Sequence, residues 1–125
     1  MLRVTVSIPH AKLNPNYTRN HMAKHRLKQE HKEESGWATT VAIHAYEGQH
    51  GPLSLPWDVV TLRYVFFHPN RIRRDDDNLI GSMKAARDGL KAGGLLADDY
   101  RVTLLPIERN YDAARPRVEM EVERV

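Results

Sequence analysis

Leu2, Val4, Val6 and Ile8 alternate with Arg3, Thr5 and Ser7 at the start of the chain, the period of a strand with one buried face, and Pro9 ends it. Turn chemistry follows over Lys12–Asn20, with Asn14-Pro15-Asn16 as its breaker. A helical stretch is expected from about His21 to Tyr46. Its first half is almost wholly polar, and Trp37, Val41, Ile43 and Ala45 carry the apolar positions of its second half, with Gly36 a candidate kink. Gly48–Pro56 reads as a loop. Val59–Phe67 is rich in β-branched and aromatic residues, which predicts a central, largely buried strand. His68-Pro69-Asn70 stops it and leaves Arg71–Asp77 extended and exposed. Asp77 or a neighbour is suited to cap a helix in which Leu79, Met83, Ala86 and Leu90 share a face, and Gly93-Gly94 ends that helix. Val102–Ile107 and Arg117–Val125 read as two more strands, a hairpin or neighbours joined by a loop over Arg109–Pro116. In the last strand Val118, Met120 and Val122 oppose Glu119, Glu121 and Glu123. The order β, α, β, α, β, β predicts an α/β (α+β) fold: a single domain over residues 1–125, with a mixed sheet of about four strands packed with two main helices.

Composition agrees with one domain. The chain has 125 residues, 41% hydrophobic and 28% charged, enough for one core and too short for a second. It has no cysteine, which excludes disulfides, thiolate zinc sites and thiol nucleophiles and fits a reducing cytoplasm. No apolar run reaches membrane-spanning length, and Met1–Thr5 is unlike a signal-peptide core, so a soluble, cytoplasmic protein with no membrane partner is expected.

The net charge of +3 is unevenly spread. Lys12, Arg19, Lys24, Arg26, Lys28 and Lys32 fall in one stretch whose only acid is Glu30, and Arg71, Arg73 and Arg74 form a second basic group. Such clustering is the footprint of a nucleic-acid partner. Lys24–Lys32 taken alone fits a solvated helix face equally well.

Directly after the second basic group come Asp75-Asp76-Asp77-Asn78, and Asp98-Asp99 follow one helix-length later. In an extended segment Asp75 and Asp77 share a face while Asp76 points away. A turn at Gly93-Gly94 could return Asp98 and Asp99 toward them. Oxygen-only clusters drawn from separate segments suit Mg²⁺ or Mn²⁺, and two such ions can stabilise the attacking and leaving oxygens of a phosphoryl displacement. Lys84 lies about two helical turns after Asp77 on the same face, and its side chain should lean back toward the carboxylates. Each acidic group alone would be a solvated turn or helix cap; their combination with the flanking arginines points to metal-assisted phosphodiester chemistry. His21 and His25 have zinc-compatible spacing but no third ligand, so they read as surface. His68 could touch the site, though a histidine ending a strand is more often merely exposed. Trp37 and Tyr46 read as core, while Tyr17 and Tyr100 could stack on bases or pack on their own loops.

The segments Arg74-Asp75-Asp76-Asp77-Asn78-Leu79, Lys84-Ala85-Ala86-Arg87-Asp88-Gly89-Leu90 and Gly94-Leu95-Leu96-Ala97-Asp98-Asp99 resemble the R-D-x-D-N-L, K-x-x-x-D-x-L and G-x-x-x-D-D pattern of the RusA family of Holliday junction resolvases. Leu13-Asn14-Pro15-Asn16 with Arg19 and His21 is similar to the opening of its phage and prophage members. The likeness covers roughly residues 8–31 and 73–102 with ordered spacing. It implies a homodimeric endodeoxyribonuclease, dependent on Mg²⁺ with Mn²⁺ as a substitute, that nicks four-way DNA junctions in recombination and repair in a bacterial or phage-infected cell. The family's metal carboxylates fall on Asp75, Asp77 and Asp99, its essential lysine on Lys84, and Asp98 is a further candidate ligand. Lys12, Asn14, Asn16, Arg19, Lys24, Arg71, Arg73 and Arg74 are the candidate DNA-binding residues. One departure is that Gly81 stands where the family's lysine can follow the second aspartate by one turn. Two other functions fit the same residues: a nuclease for flaps or forks, and a non-catalytic DNA-binding dimer.

Overall fold

The computed structural model describes residues 1–125. The order is β1 (Leu2–Val6), a short 3-10 turn (Ala11–Leu13), α1 (His21–His50), β2 (Trp57–His68), α2 (Asp76–Ser82), α3 (Lys84–Ala92), β3 (Leu96–Leu104), β4 (Glu108–Tyr111) and β5 (Arg117–Arg124). The sheet therefore has five strands rather than about four, because Glu108–Tyr111, read as loop, forms β4. The strand order is β1-β5-β2-β3, with β4 also on β2. β5 is antiparallel to both β1 and β2. β3 and β4 run parallel to β2, at Trp57–Leu62 and Val65–His68 respectively. They follow one another along one edge of the sheet, so β3 and β5 are neither a hairpin nor neighbours: β2 lies between them.

Alternation decides which face is buried. Leu2, Val4 and Val6 meet Val122, Met120 and Val118 across the β1–β5 pair, and Leu62, Tyr64 and Phe66 continue the same apolar face on β2. The helices cover this face with Met83, Ala86, Leu90 and Ile43. The opposite face is open and charged: Arg3 pairs with Glu119 and Glu121, Arg63 with Glu108, and Arg117 lies 3.8 Å over the Phe67 ring while pairing with Asp112 and Glu119. The result is two layers, one of helices and one of sheet.

α1 is longer than its apolar pattern suggested, and it buries a different face. His31, Ser35, Thr39 and Ile43 point inward, while Trp37 (74% exposed) and Val41 (65%) point to solvent. The reason is the closeness of α1 to α3. A Cβ added at Gly89 would lie 2.4 Å from that of Ser35, and one at Gly93 would lie 2.7 Å from the Gly36 carbonyl oxygen. Only small side chains fit such a crossing. Their hydroxyls are satisfied internally, Ser35 Oγ donating to the Ala86 carbonyl (2.6 Å) and Thr39 Oγ1 to the Ser35 carbonyl (2.7 Å). Gly36 lies within a continuous helix and is not a kink; a Cβ there would come no closer than 3.8 Å to α3, so the tight fit is set by Gly89 and Gly93. Tyr46 packs on the edge of the core, as expected, and stacks on His50. No helix is long and apolar enough to cross a membrane.

Candidate active site

After β2 the chain turns through residues 69–75. The turn is held by Arg74, whose guanidinium donates to the Asn70 and Ile72 carbonyls and to Asn70 Oδ1 (2.7 Å). Asp75 has extended backbone and is the N-cap of α2, its Oδ1 accepting from the Asp77 backbone N–H (3.0 Å). Asp75 and Asp77 therefore stand together through a cap, not through the alternation of an extended segment. Asp76 is turned to Arg109 of β4, which also donates to the Arg74 carbonyl (2.9 Å). Asp77 has no ion pair and is exposed.

The N-terminal turn docks on this segment. Asn14 Oδ1 accepts from the Asn16 N–H (2.8 Å), and the Asn16 amide donates to Asn78 Oδ1 (3.4 Å). A Cβ on Gly81 would lie 2.4 Å from Pro15 Cγ, so the glycine is what lets α2 approach the Asn14-Pro15-Asn16 turn. Two segments far apart in sequence, both within the family-like pattern, thereby share the mouth of one cavity of about 410 Å³, lined by Asn14, His68, Arg73, Asp75 and Asn78 among others.

Asp98 and Asp99 lie elsewhere. They belong to β3, in the irregular register between the pairs Trp57–Leu96 and Val59–Arg101, beside the first residues of β2. Asp75 lies by the last residues of β2, near Phe66 and His68. From Asp58 to His68 the strand rises roughly 33 Å. The chain does reverse at Gly94, which takes a left-handed backbone (φ 93°), but β3 then starts at the far end of the crossover. Within one chain no three His, Asp or Glu side chains form a group that could hold a metal. Asp98 lies 4.0 Å from Lys91, an exposed pair of little weight, whereas Asp99 has no ion pair. Lys84 is exposed at the first position of α3, because the expected single helix breaks at Met83 (φ −89°, ψ 0°); no ion pair joins it to Asp75 or Asp77.

The remaining cations divide into two groups. Lys24 Nζ donates to the Tyr17 carbonyl (2.8 Å) and, more weakly, to that of Asn14, and Arg74 is spent within its own turn, so both shape the surface rather than reach from it. Lys12 lies over Tyr17 and Arg71 over Tyr111, with their charged ends near the surface. Arg19 and Arg73 are exposed and unpaired. Tyr17 packs locally, and Tyr100 packs against the core. Sequence reasoning missed Arg109, and it raised His68 as a neighbour of the site but took it for exposed. Arg109 had no motif to mark it. His68 is buried at 3% exposure, stacked on Phe66 at 5.4 Å, because its even position on β2 faces inward. Burial, reinforced by Arg74 and Arg109, holds its pKa below the usual imidazole value.

No protein-family model matches this chain, and no curated protein matches it.

Proposed function

We propose that the chain is a Mg²⁺-dependent, structure-specific endodeoxyribonuclease that resolves four-way DNA junctions by paired nicks, acting as a homodimer. The observation that carries this reading is the meeting of Asn14-Pro15-Asn16 with Arg73–Asn78 at one cavity mouth. It gathers exposed carboxylates, amides and the unpaired Arg73 guanidinium where a phosphodiester backbone could lie. Mn²⁺ would serve in place of Mg²⁺. Asp75 and Asp77 offer oxygen ligands suited to either ion, which would supply charge neutralisation at the scissile phosphate. Lys84, exposed on the adjoining helix, would add positive charge there.

The distance between the acidic pairs is itself an argument for two copies. Asp99 cannot join Asp75 within a chain, but β3 and β4 share a free sheet edge on which a second copy could pair. Two-fold pairing runs that edge antiparallel to itself, which brings the start of β3 in one copy beside β4 of the other. Because β4 is tied to Asp76 through Arg109, the partner's Asp99 would then approach Asp75 and Asp77. Each of two symmetric sites would draw ligands from both chains, matching the two-fold symmetry of a four-way junction.

The test is incubation with synthetic four-way, forked and linear duplex DNA, with and without Mg²⁺. The proposal requires metal-dependent paired nicks in the four-way junction at rates above those for the other two. Equal cutting of forks would move the reading to a general branched-DNA nuclease. Binding without nicking under any metal condition would leave a DNA-binding dimer.

A further inference from the structure

We infer that Arg109 is a positioning residue: it clamps the Arg73–Asn78 segment to the edge of the sheet and so sets where the Asp75 and Asp77 carboxylates stand; this rests on the nuclease reading above. Arg109 Nη2 donates to the Arg74 carbonyl (2.9 Å) and pairs through the same nitrogen with Asp76 Oδ1. The two acceptors come immediately before and after Asp75 in the chain, so one guanidinium brackets the residue that caps α2. Such a hold is needed there. α2 has only seven residues, none of them fully buried, and it begins with three adjacent carboxylates that repel one another. The Asn16–Asn78 bond on its other side is long, at 3.4 Å.

The strand that carries Arg109 makes a second contact of the same kind. Arg109 and Tyr111 stand opposite Phe66 and His68 of β2, on the helix-bearing face of the sheet, while Asn110 faces away. Tyr111 lies under the Arg71 guanidinium at 4.3 Å. Alternate residues of β4 thus hold both ends of the stretch from Arg71 to Asp76. As an exposed ion pair, Arg109–Asp76 adds little stability; what it supplies is register between the aspartates and the edge on which a second copy would bring Asp99. It also occupies Asp76, leaving Asp75 and Asp77 as the carboxylates open to a metal ion. Charge and position make opposite demands on this residue. Arg109 is a cation beside the aspartates, so by charge alone its removal would tighten a divalent ion. A clamp predicts the reverse, because the ion loses two ligands fixed in place.

The test titrates Mn²⁺ into the full chain and follows the free ion by electron paramagnetic resonance. Arg109→Ala should bind Mn²⁺ several-fold more weakly than the wild type, and Arg109→Lys, which keeps the charge and a donor, should recover part of the loss. A second measurement needs no metal. The Asp77 N–H is held by Asp75 Oδ1, so its hydrogen exchange reports the fixed cap. That exchange should quicken several-fold in Arg109→Ala and in Asp76→Ala, an exposed change that leaves the core intact, while amides of β2 and β5 keep their wild-type rates. Mn²⁺ affinity equal to or above the wild-type value in a folded Arg109→Ala protein, or unchanged Asp77 exchange in Asp76→Ala, overturns the inference. A wild type that binds no Mn²⁺ would instead defeat the nuclease reading itself.

Discussion

Asp75 combines two roles that a substitution can separate. It caps α2, and in the proposed function it binds metal. Asn caps as well as Asp, so Asp75→Asn should fold normally, keep or strengthen junction binding and lose Mg²⁺-dependent nicking; Asp77→Asn should do the same. Asp75→Ala should lose, in addition, about 1 kcal/mol of stability in urea unfolding. Normal nicking by both Asn variants would reduce these residues to a cap and its neighbour. His68 gives a pH signature. Its pKa is lowered in the fold, so the unfolded chain binds a proton that the folded state excludes. Its contribution is therefore full above the ordinary imidazole value of 6.5 and declines as pH falls through it. The urea midpoint should drop more between about pH 7.5 and pH 5.5 in the wild type than in His68→Leu, and equal drops would contradict the burial argument. The cluster Arg73–Asn78 was legible from composition alone. How Lys24, Arg74 and His68 are engaged was not, since the carbonyls that take up the two cations and the strand face that buries the imidazole are set only once the local turns and β2 have formed.

Strands announced themselves better than helices did. The alternation in β1 and β5 marked the buried face residue by residue, because a pleated strand against a core leaves period 2 as its only solution. α1 misled because its buried face is His31, Ser35 and Thr39 rather than Trp37 and Val41. A hydrophobicity pattern records apolarity, whereas this helix pair selects for small size. Gly89→Ala should consequently cost about 1–3 kcal/mol, since the added methyl meets Ser35, and Gly89→Ala with Ser35→Gly should recover part of the loss. Urea midpoints measure both, and an unaltered Gly89→Ala would mean that the helices separate freely. The same reasoning applies at Gly81. Moving the lysine one turn nearer the aspartates would push a side chain into Pro15, so that position tests the docking of the turn and not the chemistry. β4 was missed because four residues, Glu-Arg-Asn-Tyr, carry no alternation, and its pairing is set by β2.

At the scale of the molecule, the acidic pattern is continuous in sequence but split in space, with Asp75 and Asp77 at one end of the β2–α2–α3–β3 crossover and Asp98 and Asp99 at the other. Sequence spacing marked the carboxylates without their separation, because a parallel crossover sends the chain a full strand length away before it returns. The account therefore requires two chains per functional unit, and light scattering should give twice 14.4 kDa. The most direct test mixes two proteins, Asp75→Asn and Asp99→Asn, each inactive alone. In a mixed dimer whose sites draw Asp75 from one chain and Asp99 from the other, one site carries both substitutions and the other carries neither. The mixture should regain Mg²⁺-dependent cutting of four-way junctions, as single nicks rather than linked pairs. A mixture that forms mixed dimers yet stays as silent as its parents, beside an active wild type, would contradict the shared site.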